Sequence, residues 1–247
     1  MPNKCFLFDV DGTLTEPRQR MTEEFALFFS DWMEGKDVFL VSGSDFPKIK
    51  EQVPASIIDK CKGVFTCMGN ELWEEGKNIY RNSLSLPKEV KTWLDEKVEN
   101  SRFEKETRKP PHFEFRGGMV NFSVVGRGAS NALRQYYYEW DEGKKERENI
   151  AEEFNKEFNK KYNLEALVGG QISLDIQEIG KDKSQIIDYL DYEEYVFFGD
   201  KCDEGGNDYS LYERATEKWK VVNYEHTFRI LETNHAFKML KTNVKEK

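Results

Sequence analysis

Phe8-Asp9-Val10-Asp11-Gly12-Thr13-Leu14-Thr15 continues the apolar run Lys4-Cys5-Phe6-Leu7, and together they read as a buried strand that stops abruptly on two carboxylates. A glycine and hydroxyls follow. In an open α/β sheet, ligands bind outside the carboxyl ends of the strands. Two acids there, with a tight glycine turn, suit a divalent cation and a phosphate. An aspartate in that position can also attack phosphorus as a covalent nucleophile. The plainer reading, an acidic loop capping the next helix, does not explain why strand, Asp-x-Asp, Gly and Thr occur together.

The pattern repeats further along the chain. Thr22 can cap a helix whose Phe25, Phe28, Phe29 and Trp32 recur at helical spacing, and Gly35 ends it. Asp37-Val38-Phe39-Leu40-Val41 is a second buried strand, ending at Ser42-Gly43-Ser44-Asp45. A hydroxyl and free N–H groups at a strand end can hold a phosphoryl oxygen. Asp45 can cap the next helix, with Pro47 in its first turn. Val64 to Cys67 reads as a strand, and Glu71 to Tyr80 as a hairpin turning near Gly76.

The texture changes near residue 83. A helix over Lys88–Val98 precedes a charged stretch with two prolines, and Gly117-Gly118 joins two strand-like runs, His112–Arg116 and Val120–Val125. Helices follow over Asn131–Trp140 and Glu146–Tyr162, the second with Ile150, Phe154, Phe158 and Tyr162 on one face. Ile172–Ile176 is a strand on which Ser173 and Asp175 share a face and could read hydroxyls. This is an α+β insertion over residues 83–181. Residues 1–82 and 182–247 form the α/β body, a Rossmann-like core with a parallel sheet. Its second half holds a helix opened by Lys183, a strand Tyr195–Phe198 ending at Gly199-Asp200, then Gly205-Gly206-Asn207-Asp208, a short strand Lys220–Val222 and a closing helix Thr227–Leu240.

Composition narrows the function classes. The 247 residues are 38% hydrophobic and 14% aromatic, enough for a real core, and the net charge of −9 argues against nucleic acid or an anionic membrane as partner. There is no apolar run near membrane-spanning length and no signal-peptide pattern at the start. Cys5, Cys61, Cys67 and Cys202 show no metal-ligand spacing and read as reduced thiols of a cytoplasmic protein.

The Asp9-Val10-Asp11-Gly12-Thr13 stretch resembles the first motif of the haloacid dehalogenase superfamily of phosphotransferases. The resemblance implies that Asp9 accepts the phosphoryl group and Asp11 is the general acid/base. It also implies Mg²⁺ on the Asp9 carboxylate, the Asp11 carbonyl and Asp200. Asp9, Asp11, Ser42 or Ser44, Lys183, Asp200 and Asp208 follow the superfamily's motif order, with Lys183 set against the phosphoryl oxygens and Asn207 and Asp208 supporting the metal.

The insertion is similar to the cap of eukaryotic-type phosphomannomutases. The likeness rests on Glu114-Phe115-Arg116-Gly117-Gly118-Met119-Val120-Asn121, Gly126-Arg127, Arg134 and Gly169-Gly170-Gln171-Ile172-Ser173-Leu174-Asp175, and in the body on Thr15-Glu16-Pro17-Arg18, Phe198-Gly199-Asp200-Lys201 and Gly205-Gly206-Asn207-Asp208. That family implies an isomerase interconverting mannose 6-phosphate and mannose 1-phosphate for GDP-mannose synthesis, primed by a hexose 1,6-bisphosphate and dimeric through the cap. Arg18, Ser42, Gly43, Ser44, Arg116, Arg127, Arg134, Ser173 and Asp175 would hold the phosphosugar; guanidinium forks suit the phosphate that is not reacting. A phosphatase on the same core, with water attacking the aspartyl phosphate, is the alternative. The chain departs from the family in Gly180-Lys181-Asp182-Lys183, which lacks a tryptophan, in Ser42 for a glycine, in Cys202 for a hydroxyl, and in Arg214 where some members use an aspartate for a second cation.

Overall fold

The computed structural model describes residues 3–233. The described residues form two compact units, one from residues 3–81 and 182–233 and the other from residues 82–181. In the first unit the chain lays down β1 (Lys4–Phe8), α1 (Glu23–Trp32), β2 (Asp37–Val41), α2 (Phe46–Gln52), α3 (Ala55–Ile58), β3 (Gly63–Thr66), β4 (Glu71–Glu74) and β5 (Lys77–Arg81). The second unit contains α4 (Lys88–Asn100), β6 (Phe113–Arg116), β7 (Met119–Phe122), α5 (Asn131–Lys144), α6 (Glu146–Tyr162), β8 (Leu164–Gly169) and β9 (Ser173–Glu178). The chain then returns to the first unit through a 3₁₀ turn (Lys183–Asp188), β10 (Glu194–Gly199), α7 (Tyr209–Arg214) and β11 (Glu217–Lys220). Residues 224–233 form α8.

The first unit's sheet has the order β11-β10-β1-β2-β3-β4-β5. Its first five members are parallel, and β4 and β5 add an antiparallel edge. β1 lies between β2 and β10, so the chain crosses to opposite sides of it. Such a switch point opens a crevice at the carboxyl ends. Leu7, Phe8, Val38, Leu40, Val41, Phe197 and Phe198 are buried, because a parallel sheet is covered on both faces. Phe8 stacks on Phe198 at 4.7 Å and meets Phe29 of α1 edge-on at 5.1 Å. The Thr22 hydroxyl caps α1 by accepting from Phe25 N, and Asp45 caps α2 by accepting from Lys48 N. The β4–β5 hairpin turns on Glu75 and Gly76, both at positive φ (49° and 73°), the requirement of a type I′ turn.

In the second unit the sheet runs β6-β7-β9-β8 and is antiparallel throughout. One face packs Val120, Phe122, Leu174 and Ile176 against Tyr137, Phe154 and Phe158 of the helices. The register places Glu114, Asn121 and Asp175 in one row across the other face, with Arg116, Met119 and Gln177 in the next. Arg108 donates to the carbonyls of Val98, Ser101 and Phe103 around the end of α4. Asp141 and Arg147 form a buried pair at 2.6 Å between α5 and α6.

Four local expectations need correction. Lys183 opens a 3₁₀ turn rather than an α-helix. Three-residue turns bring residues i and i+3 into line, which sets Lys183 and Ile186, both fully buried, on one face. The last strand is Glu217–Lys220, not Lys220–Val222, because parallel pairing with Val196–Gly199 selects it and leaves Val222 82% exposed. The strand expected over Val120–Val125 stops at Phe122, and Ser123 instead turns to bond Ile172 O. β8 had no alternation to reveal it; the Asn155 amide, bonded to both Ala166 N and Ala166 O, and pairing with β9 define it. The closing helix begins at residue 224, and its expected continuation past residue 233 lies outside the described residues.

Candidate active site

Three strand ends meet at the switch point. Asp9 follows β1, Ser42 follows β2 and Asp200 follows β10, with Asp9 N donating to Phe198 O at 3.0 Å. The Asp9 loop is tight: Leu14 N and Thr15 N donate to Val10 O, and Gly12 N to Thr15 O at 2.8 Å. Gly12 sits at φ +86°, and a Cβ there would land 2.4 Å from Asp200 Oδ2. The glycine after Asp-x-Asp is therefore what lets the third carboxylate approach the loop. Gly199 does the same for Asp208, whose Oδ2 would lie 2.8 Å from a Cβ.

Lys183 is completely buried and bridges Asp9 Oδ1 at 2.5 Å and Asp208 Oδ1 at 2.6 Å. Asp208 Oδ2 accepts from Lys201 N, so this carboxylate is satisfied by protein donors on both oxygens. Asp9 Oδ2 and Asp200 Oδ1 are different: each is buried without a hydrogen-bond partner. One oxygen each from Asp9, Asp200 and Asp208 lie within 4.8 Å of one another. Three carboxylates thus face one ammonium. Burial and the Asp208 charge push the Asp9 carboxyl up to about 7, against the pull of Lys183. Burial, then Asp208, also raises Asp200. Burial works against the Lys183 ammonium, but the two carboxylates together outweigh it and hold its pKa above the ordinary lysine range. A buried cluster short of positive charge, with two orphaned hard oxygens, is a chemical fit for a divalent cation of the Mg²⁺ type.

Around this cluster, Ser42 is buried and its Oγ accepts from Ser44 N at 3.0 Å. Gly43 lies close to Asn207, whose Nδ2 would be 3.8 Å from a Cβ on the glycine; Asn207 itself is exposed. Asp11 is half-buried and its Oδ1 accepts from Arg18 N and from Gln52 Nε2, both at 2.7 Å. The Arg18 side chain is exposed. Gln52 went unnoticed in the sequence because it closes an ordinary amphipathic helix. Arg214 donates to Ser184 O and to Asp188 Oδ1 at 2.6 Å, which ties its guanidinium to the 3₁₀ turn that carries Lys183. The thiols of Cys5, Cys61 and Cys202 are pushed up to about 12 by burial, which leaves them inert.

The second unit gathers its own polar set. Arg116 grips both oxygens of Glu114 at 2.9 and 2.8 Å, and Arg127 Nε reaches Glu114 Oε2 at 2.6 Å. Burial pushes Glu114 up, but the two guanidiniums more than offset it and hold the carboxyl below the usual range. Arg127 Nη1 donates to Ser173 Oγ at 3.1 Å. Asp175 Oδ1 accepts from Asn121 Nδ2 at 2.6 Å; burial raises its pKa against that bond and the nearby arginines. Arg134 donates to Ala129 O and Arg127 O, both at 2.9 Å, and so braces the loop that carries Arg127. Glu114 stood inside a quoted motif, but its role as the shared partner of two arginines appears only once β6 and the 123–129 loop are side by side.

The fold is a Rossmann-like core with an inserted α+β unit. It is similar to a haloacid dehalogenase-like hydrolase from Bacteroides thetaiotaomicron, with a TM-score of 0.61 and 14% identity over 94% of this chain and 99% of that one. An IMP-nucleotidase of Plasmodium falciparum gives a TM-score of 0.62 at 15% identity over 94% of this chain and 68% of that one. The family model described as eukaryotic phosphomannomutase matches residues 26–237, and the chain belongs to that family. A phosphomannomutase of Arabidopsis thaliana is 34% identical over 86% of this chain and 88% of its own length. One from Dictyostelium discoideum, phosphomannomutase 1, is 32% identical over 94% and 96%.

Proposed function

We propose that this protein is a phosphomannomutase that interconverts mannose 6-phosphate and mannose 1-phosphate by way of a phosphoryl group on Asp9. The observation that carries the reading is the buried Asp9–Lys183–Asp208 constellation at the β1 end, with Asp9 Oδ2 left without a partner. Asp9 is the nucleophile, since it alone combines the central strand end with contact to the lysine. Lys183 faces the phosphoryl oxygens with a compact charge, Ser42 offers its hydroxyl proton and Gly43 a main-chain N–H, and Ser44 holds the Ser42 hydroxyl through its own N–H. Asp11 gives and takes the proton of the sugar oxygen, a contribution typically worth about 10²–10⁴-fold.

Asp9, the Asp11 carbonyl and Asp200 would hold Mg²⁺, with Asp208 and Asn207 in support. When bound, the ion supplies positive charge where the phosphoryl group develops negative charge. Arg18 and the second unit's Arg116, Arg127, Arg134, Ser173 and Asp175 hold the sugar phosphate, with Glu114 keeping two of the guanidiniums in place. A mutase needs such a grip for both orientations of its bisphosphate. The reading includes a hexose 1,6-bisphosphate activator, a homodimer through the second unit and a cytoplasmic setting, which the four buried cysteines, none in a disulfide, suit. No helix among the described residues is long and apolar enough to cross a membrane.

A coupled assay following mannose 1-phosphate with and without glucose 1,6-bisphosphate tests the activity. Conversion that rises with the bisphosphate supports it; release of inorganic phosphate without conversion refutes it in favour of hydrolysis. The metal assignment is tested by calorimetry: Asp200→Ala weakens Mg²⁺ binding and shrinks the gain in thermal midpoint that Mg²⁺ gives the unaltered protein. Unchanged affinity in that variant rules Asp200 out as a ligand.

A further inference from the structure

Gln52 ends α2 and lies outside every motif named above. Its side chain is 2% exposed, and its Nε2 donates to Asp11 Oδ1 at 2.7 Å and reaches Thr15 Oγ1 at 3.4 Å. The Gln52 carbonyl accepts from Met21 N at 2.8 Å, so α2 is tied to the chain just beyond the Asp9 loop by main chain as well. The second donor to Asp11 Oδ1 is the N–H of Arg18, a residue in the left-handed region at φ 63°. A non-glycine residue in that region carries strain, and such strain collects at functional sites. Gln52 Oε1 is buried without a partner, which costs stability. A methionine of similar size would remove that unmet acceptor together with the donor to Asp11. The two donors to Asp11, Gln52 Nε2 and Arg18 N, act on Oδ1 only: no donor among the described residues reaches Asp11 Oδ2.

We propose that Gln52 is a positioning residue for the proton transfer. Together with the Arg18 amide it saturates Oδ1 and turns Asp11 so that Oδ2 exchanges the proton with the sugar oxygen. The inference rests on the reading of Asp11 as general acid/base. In the transfer to sugar, the bond from phosphorus to Asp9 oxygen breaks, the bond from phosphorus to sugar oxygen forms, and the hydroxyl proton moves to Asp11 Oδ2. The reverse step returns that proton to the departing sugar oxygen. Misplacing a reacting group by about 1 Å can cost roughly 10²-fold, so loss of one of two orienting bonds falls mainly on kcat.

The test compares two phosphoryl donors in Gln52→Met, which keeps the volume and removes both the donor and the unmet acceptor. Acetate leaves acetyl phosphate without taking up a proton, whereas a sugar alkoxide cannot leave without one. The expected result is a fall of roughly 10–100-fold in kcat for sugar phosphate, with KM changed less than about threefold. Phosphorylation of Asp9 by acetyl phosphate, followed by mass, falls far less, and the thermal midpoint is kept or raised. In an Asp11→Asn background the same substitution causes no further loss in sugar turnover. Gln52→Glu, which keeps the shape but sets a carboxylate against Asp11, gives a loss at least as large and serves if the methionine variant does not fold. Parallel loss with both donors, or a full additional loss in the Asp11→Asn background, overturns the proposal and makes Gln52 a prop of the loop. Normal sugar turnover in the Gln52 variants while Asp11→Asn is disabled overturns it alone. Normal turnover in Asp11→Asn itself removes the acid/base reading first.

Discussion

The two charged regions of this molecule hold their charge in different ways. At the β1 end, Asp9, Asp208 and Lys183 are buried, and Asp9 Oδ2 and Asp200 Oδ1 have no partner. On the polar face of the second unit, Arg116 and Arg127 are partly exposed and already paired with Glu114. The first region is short of positive charge in a desolvated place, where each electrostatic interaction is strong and each unmet atom costs free energy. In the second, charge is balanced at the edge of water, where solvent weakens each interaction. A desolvated cluster suits bond making; a hydrated and balanced one suits repeated capture and release. The comparison teaches that burial, more than the number of charges, separates the candidate reacting centre from the candidate grip.

Substitutions can break that contrast, and the largest effect is expected at the nucleophile. Asp9→Asn lowers mutase turnover by at least ~10⁴-fold and abolishes the phosphorylated species seen by mass, in a protein that remains folded. Substantial turnover in a preparation free of the unaltered enzyme refutes the assignment. Lys183→Met ranks next and strikes stability as well as turnover. It leaves buried carboxylates without their cation, and losing one partner of such a pair costs about 3–5 kcal/mol. Urea unfolding without added metal measures this; a loss under about 1 kcal/mol contradicts the burial argument.

The second region responds more weakly and only to sugar phosphates. Arg127→Ala weakens their binding by about 2–4 kcal/mol, while phosphorylation of Asp9 by acetyl phosphate changes little, because that donor has no second phosphate to hold. Calorimetry and mass measurement on one preparation check both halves, and equal loss in both removes the distinction drawn here. Arg214→Ala is expected to do least. Its pair with Asp188 is exposed to solvent, so the stability change stays below about 1 kcal/mol. A larger loss reveals that this guanidinium is needed to hold the 3₁₀ turn that carries Lys183.

Much of the fold was open to reading in the residues themselves. Runs such as Phe6-Leu7-Phe8 and Val38-Phe39-Leu40-Val41 are buried strands because both faces of a parallel sheet are covered. Helical spacing in α1 and α6 and the glycine turns at Gly76 and Gly117-Gly118 are equally local signals. The weak points were β8 and β11, where few apolar residues alternate and pairing with a distant strand selects the segment. At the site, the Asp-x-Asp-Gly-Thr stretch marked Asp9 and Asp11 at once, since strand end, carboxylates and glycine lie within a few residues. Gln52 and Glu114 carried no such mark, because each owes its interest to partners far away in the chain.

The amino-acid order by itself determined which strands end in chemistry-bearing residues, since hydrophobic runs and turn residues act over short distances. The tertiary structure alone decided which of those ends share one place. Asp9 and Lys183 are 174 positions apart and meet at 2.5 Å because parallel strands β1 and β10 are neighbours and the turn before β10 delivers the lysine. The two orphaned oxygens belong to the same level of organisation. Whether a carboxylate is satisfied depends on every donor that packing brings near it, and packing is a property of the whole fold rather than of any stretch of it.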